Sequence, residues 1–165
     1  METQTRQPLL LLGRVLHEVV DGKEWWTMRV DREHQLYVQI ARYLQENYPD
    51  VIYRFDIAAD LKLTQGQAAK FKRLHPRRGY PDLFIAKPKD GLNMDTGGNP
   101  NYYAGLYLEL KAEGNSPFKK DGSLKKDQHL EEQQAMLEML RYRGYKAVFA
   151  TGLEEAIRII DDYLN

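Results

Sequence analysis

The period of the apolar positions changes several times along the chain. Leu36, Tyr37, Ile40, Ala41 and Leu44 fall on one face of a 3.6-residue repeat, which predicts a helix from an Asp31 cap to about Tyr48. Pro49-Asp50 ends it, and "VIYRFDI" at Val51–Ile57 reads as a strand. Thr64 caps a short helix reaching Leu74. A strand at Asp82–Ala86 is followed by a turn-rich stretch, Lys87–Pro100, which reads as the loop of a long hairpin returning through a strand at Tyr103–Lys111. A helix from about Lys126 to Arg143 stops at Gly144, and Lys146–Ala150 is a buried type of strand. Thr151 and Glu154 have capping-box spacing for a last helix to about Tyr163. Upstream, residues 1–7 are polar, and Leu9–Val20 fits a helix or a strand. This order predicts an α/β domain whose central mixed β-sheet is flanked by helices on both faces.

Composition narrows the class. A chain of 165 residues with 42% apolar and 29% charged positions suits one soluble globular domain. The absence of cysteine removes disulfides, thiolate catalysis and zinc ribbons together. Four consecutive leucines in "PLLLLG" at Pro8–Gly13 are too few to span a membrane, so the expectation is an intracellular protein with no membrane contact.

Charge changes the picture through its distribution. Basic and acidic residues balance at 24 each, yet Leu61–Pro81 contains no acidic residue while holding Lys62, Lys70, Lys72, Arg73, Arg77 and Arg78. A second cluster, Lys119, Lys120, Lys125 and Lys126, encloses only Asp121. Either cluster alone reads as solvated surface; together they allow a neutral chain to present a cationic face to a polyanion.

The candidate chemistry lies in the strands. In "GLYLELKAEG", Leu106, Leu108 and Leu110 share one strand face, and Tyr107, Glu109 and Lys111 share the other. In "GYPDLFIA", Asp82 stands on the face opposite Leu83 and Ile85. If the two strands pair as a hairpin, Asp82 and Glu109 converge. Two carboxylates brought together repel unless a cation sits between them, and Mg²⁺ prefers such hard oxygen ligands. Glu33 stands at helical spacing from Leu36, Tyr37, Ile40 and Leu44, and Gln133 likewise from Met136, Leu137 and Leu140. Each alone also reads as a cap or a rim residue; both aimed at one site would explain both.

These segments, with "LEEQQAMLEMLRYRGYKAVFATGLEEAIRIIDDYL", resemble the VRR-NUC (virus-type replication-repair nuclease) branch of the PD-(D/E)XK superfamily, in its compact phage and prophage versions. The motif order carries the resemblance: a helix glutamate, a G-x-P-D strand, an E-x-K strand, then a helix whose Gln133 is followed at seven and eleven residues by Leu140 and Gly144. It implies a restriction-endonuclease-like PD-(D/E)XK core over 31–165 preceded by an N-terminal extension, 1–30. It further implies a Mg²⁺-dependent endonuclease, with Mn²⁺ substituting, that hydrolyses phosphodiester bonds in DNA. Asp82, Glu109, the Leu110 backbone carbonyl and Glu33 would bind metal. Lys111 would position or polarise water, and Gln133 would orient water or a ligand. Lys70, Lys72, Arg73, Arg77, Arg78, Lys119 and Lys120 would contact DNA. The implied substrate is branched, flap or junction DNA in replication, recombination or repair, in the cytoplasm of a bacterium or a phage-infected host. A homodimer and a replication or helicase partner are compatible. A long loop between Asp82 and Glu109 and the residues before the first helix depart from the compact pattern and bear on substrate preference.

Three rivals stand beside this reading. One is a catalytically silent nucleic-acid-binding module of the same fold, against which the intact Asp82, Glu109 and Lys111 argue. The second, within the superfamily, is a Holliday-junction resolvase or restriction-type nuclease. The third, a histidine-metal nuclease, is disfavoured because His17, His34, His75 and His129 show no paired ligand spacing.

Overall fold

The computed structural model describes residues 15–20, 23–28, 32–56, 64–74, 77–90 and 102–165. Strands β1 (Val15–Val20) and β2 (Lys23–Met28) form an antiparallel hairpin, with Val15 opposite Met28 and Val20 opposite Lys23. The choice left open for Leu9–Val20 therefore falls to strand over its second half, and the rest of that segment lies outside the described residues. Strand β2 has no counterpart among the expected elements, because adjacent Trp25 and Trp26 in "KEWWTM" break the two-residue alternation.

Helix α1 (Arg32–Asn47) buries Leu36, Tyr37, Ile40 and Leu44, as its periodicity predicts; the proposed Asp31 cap lies outside the described residues. Strand β3 (Tyr53–Phe55) is shorter than expected, and Ile57 is also outside the described residues. Helix α2 (Gln65–Leu74) opens as predicted on Thr64. The Thr64 amide donates to Gln67 Oε1 at 2.9 Å, and the Gln67 amide returns to Thr64 Oγ1 at 3.4 Å. That reciprocal pair satisfies two N–H groups otherwise orphaned at the helix start.

The remaining elements are β4 (Leu83–Ile85), β5 (Lys89–Asp90), β6 (Tyr102–Tyr103), β7 (Leu106–Lys111), α3 (Gln128–Tyr142), β8 (Lys146–Thr151) and α4 (Gly152–Leu164). One four-stranded sheet runs in the order β3-β4-β7-β8. Neighbours β3-β4 and β4-β7 are antiparallel, whereas β7-β8 is parallel and is connected through α3. Leu83 pairs with Leu108, so Asp82, one residue outside β4, comes opposite Glu109.

Two local expectations are corrected. The return to β7 is not one strand from Tyr103: β6 pairs with β5, and Ala104-Gly105 separates it from β7. There the Ala104 amide donates to the Gly144 carbonyl and the Gly105 carbonyl accepts from Lys146, which draws the chain toward the start of β8. Thr151 and Glu154 do not form a capping box. The Thr151 side chain makes no cap bond, and its amide instead donates to Glu155 Oε2 at 2.7 Å, one residue later than the expected partner.

Strand β7 is covered on both faces. Leu106, Leu108 and Leu110 pack with Ile40 and Leu44 of α1 and with Ala156 and Ile160 of α4. On the opposite side Tyr107 packs with Met136, Leu137 and Leu140 of α3 and with Ala147 and Phe149 of β8. Each leucine so buried contributes about 1.5–3 kcal/mol relative to exposure. The same double coverage takes any charge on β7 out of water.

Candidate active site

Glu109 lies on the α3 face of β7, between Tyr107 and Lys111, and is only 2% exposed. A carboxylate in that position costs several kcal/mol unless its oxygens are engaged. Lys111 Nζ donates to Glu109 Oε1 at 2.8 Å. Gln133 Nε2, from the buried stripe of α3, donates to the same Oε1. Gln133 Nε2 also lies 3.1 Å from His129 Nε2, one helical turn earlier. Glu109 Oε2 and Gln133 Oε1, in contrast, are buried with no hydrogen-bond partner.

Asp82 reaches the same place from the loop before β4. Its Oδ2 accepts the Leu110 amide at 2.7 Å, and the Tyr37 hydroxyl of α1 also hydrogen-bonds to it. Burial pushes the Asp82 carboxyl above the ordinary range, with a smaller push from Glu33; the Leu110 amide, Tyr37 and Lys111 pull it back in part. Glu109 is pushed up to about 8, first by burial and then by the facing Asp82, against the pull of Lys111. Two acidic groups thus share one low-dielectric pocket with a single ammonium, and the second Glu109 oxygen meets no N–H donor, only the Asp82 carboxyl, with which it can share a proton. A divalent cation fits that donor set, because it replaces the missing positive charge and takes that second oxygen.

Gly79 explains how the loop gets there. Its φ is +71°, and a Cβ built on it would stand 2.7 Å from the Glu132 carbonyl oxygen and 2.8 Å from the Gln133 nitrogen. The loop backbone therefore rests on the backbone of α3 at the residue that holds Glu109, an approach that a side chain would block. The sequence shows the glycine in "GYPD" but not the helix it must meet.

The other expected residues are placed less evenly. Gln133 is buried, as its stripe position implies. Glu33 is exposed in the first turn of α1, ahead of the first buried position Leu36, which is the rim alternative for this residue. Its charge still reaches Asp82. Among the described residues no three His, Asp or Glu side chains stand together closely enough to hold a metal ion. The Leu110 amide engages Asp82, whereas the group expected at the metal is the carbonyl of the same residue. Tyr37, read from sequence as core alone, was missed as an Asp82 partner; so was His129 beside Gln133.

Lys70, Lys72 and Arg73 are exposed on α2, and Arg77 and Arg78 are exposed on the loop leading into Asp82. The Arg77 guanidinium lies 3.1 Å from Met139 Sδ on α3. Lys119 and Lys120 are exposed on the turn after β7, closed by a Phe118–Leu124 bridge. Basic side chains thus border both segments that carry the carboxylates. No helix among the described residues is long and apolar enough to cross a membrane.

A mixed sheet flanked by helices, with Asp82 facing Glu109 and Lys111 two residues further, defines a PD-(D/E)XK-like nuclease fold. A solved structure described as a VRR_NUC domain protein is similar over 83% of this chain and 91% of that one, with a TM-score of 0.55 and 25% identity. No protein-family model and no curated protein matches the sequence. That likeness supports a relationship to the VRR-NUC family.

Proposed function

We propose that this chain is a metal-dependent deoxyribonuclease that hydrolyses phosphodiester bonds, selective for branched, flap or junction DNA in phage or bacterial replication, recombination or repair. One observation carries the reading: Asp82 and Glu109 face each other beside Lys111, and the Glu109 oxygen that no N–H reaches is turned to Asp82. The likeness to a VRR_NUC domain protein supports a nuclease-type activity.

Asp82 and Glu109 would hold Mg²⁺ or Mn²⁺, with the Leu110 carbonyl and Glu33 as further oxygen donors. Such a cation, when bound, offsets charge on the phosphate and lowers the pKa of its water. Gln133 and Lys111 both engage Glu109 Oε1, which fixes the carboxylate and leaves Oε2 to ligate. Lys111, held by Glu109, presents an ammonium to the attacking water and the phosphate, a role in electrostatic stabilisation. Lys70, Lys72, Arg73, Arg77, Arg78, Lys119 and Lys120 would neutralise backbone phosphates. Contacts of that kind position DNA without reading sequence and weaken as salt rises.

The test compares labelled duplex, flap, splayed-arm and four-way DNA in Mg²⁺, Mn²⁺ or EDTA, for wild type and Asp82→Ala. The expected outcome is metal-dependent cutting of branched forms that Asp82→Ala abolishes. Cutting that survives Asp82→Ala would place the chemistry elsewhere, and binding without cutting in either metal would favour the silent module.

A further inference from the structure

Beside the carboxylates lies a cavity of about 250 Å³ lined by Arg54, Asp56, Tyr80, Pro81, Phe84 and Tyr107. Aromatic rings dominate its walls. Phe84 stacks on Tyr107 with centroids 4.4 Å apart and planes 24° from parallel. Tyr80 meets Tyr107 edge-on at 5.6 Å, and their hydroxyls share a 2.8 Å hydrogen bond. Tyr80 is nevertheless 46% exposed, a large ring left in solvent beside a buried proline. The polar members are Arg54, which is exposed, and Asp56, which is partly buried.

Size and position select the ligand. The cavity falls below the ~300–1,000 Å³ typical of sites for drug-sized molecules, and it suits a single flat ring system. Pro81 is bonded to Asp82, and Tyr107 precedes Glu109 by two residues on the same face of β7, about 7 Å by strand rise. That separation is on the scale of one nucleotide. A nucleobase offers what these walls accept: a π face for the rings, and donors and acceptors on its edge for Arg54 and Asp56.

We propose that this cavity receives one unstacked nucleobase of the nucleic acid whose backbone lies at Asp82 and Glu109. The proposal rests on the nuclease reading for the position of that backbone. A base can enter only after leaving its stack, and that step costs least where the nucleotide is already unpaired. The cavity would therefore favour branched or single-stranded regions.

The test measures binding in EDTA by fluorescence anisotropy, using a labelled thymidine oligomer and an abasic phosphodiester oligomer of equal length and charge. Wild type should bind the thymidine oligomer about tenfold more tightly, the scale of one base on an aromatic ring. Tyr80→Leu, which keeps apolar bulk without a ring, should erase that preference while leaving affinity for the abasic oligomer unchanged. Tyr80→Phe should retain it. Equal binding of both oligomers by wild type overturns the proposal, as does a preference that survives undiminished in folded Tyr80→Leu. Should Tyr80→Leu fail to melt cooperatively, Arg54→Ala replaces it, with a reduced preference expected and an unreduced one overturning. Cleavage of flap DNA in Mg²⁺, run in parallel, separates the two claims. Cutting without a base preference sinks the pocket alone, and a base preference without cutting sinks the nuclease reading alone.

Discussion

On the α1/α4 side of the sheet, Asp161 accepts the Tyr43 hydroxyl on both carboxylate oxygens, at 2.8 and 2.9 Å, and the Tyr48 hydroxyl at 2.8 Å. These bonds tie α1 to α4, and the bond to Asp161 is the main cause that pushes the Tyr43 hydroxyl up to about 12. On the α3 side, Glu109 has both available donors on one oxygen and none on the other. Asp161 is also the more exposed of the two, yet it is the better satisfied. A carboxylate whose oxygens are all engaged is explained by the fold. A deeper one whose second oxygen faces another acid is settled by a proton shared with Asp82 or by a cation between the two.

The contrast can be broken most severely at Lys111. Lys111→Ala should lower cleavage about 10²–10³-fold, the usual loss for one positioned electrostatic group, while most DNA binding persists. If binding collapses and turnover per bound complex does not, the lysine serves binding and not chemistry. Gln133→Ala should reduce cleavage about 10–100-fold, the range for partners that orient a metal ligand, and Gln133→Glu should not restore it.

Gly79→Ala acts through the backbone. Strain at positive φ costs about 1–3 kcal/mol, and the clash with α3 adds to it. Gly114 has φ +84°, and a Cβ added there would meet nothing within 4 Å, so Gly114→Ala is the control for strain alone. Thermal melting should show the larger loss at Gly79, together with a fall in cleavage that Gly114→Ala does not produce. Equal losses would deny Gly79 its part in seating α3. At the mild end, Tyr48→Phe removes one hydrogen bond to Asp161. It should cost about 1 kcal/mol in denaturant unfolding and leave cleavage intact.

The residues that carry the proposed chemistry were legible where short-range periodicity determines the outcome. Alternation along β7 put Glu109 and Lys111 on one face, and helical spacing put Gln133 on the buried stripe of α3. The antiparallel partnership of β4 and β7, inferred from the turn-rich stretch between them, then brought Asp82 opposite Glu109. What sequence did not reveal depends on contacts between distant segments. Gly79 needs α3 beneath it, and Tyr37 becomes an Asp82 partner only once α1 packs on the sheet. For Glu33 the spacing gave the helical face but left stripe or rim open, because burial in the first turn depends on what packs over it. The β5–β6 pairing was hidden because two-residue strands leave no period to detect.

The most direct measurement is the melting temperature of wild type and Glu109→Gln across pH, with EDTA or with Mg²⁺. Glu109 keeps its proton in the folded chain up to about 8, whereas its ordinary value is 4.5, so folding takes up a proton between those values. Its contribution to stability is therefore fully present below the ordinary value and is lost as pH rises through about 8. In EDTA, wild type should lose stability over that window relative to Glu109→Gln. Mg²⁺ should restore wild type at the alkaline end and leave Glu109→Gln unmoved. A wild-type melting temperature indifferent to Mg²⁺ at the alkaline end, or an equal rise in Glu109→Gln, would contradict a cation shared by Asp82 and Glu109.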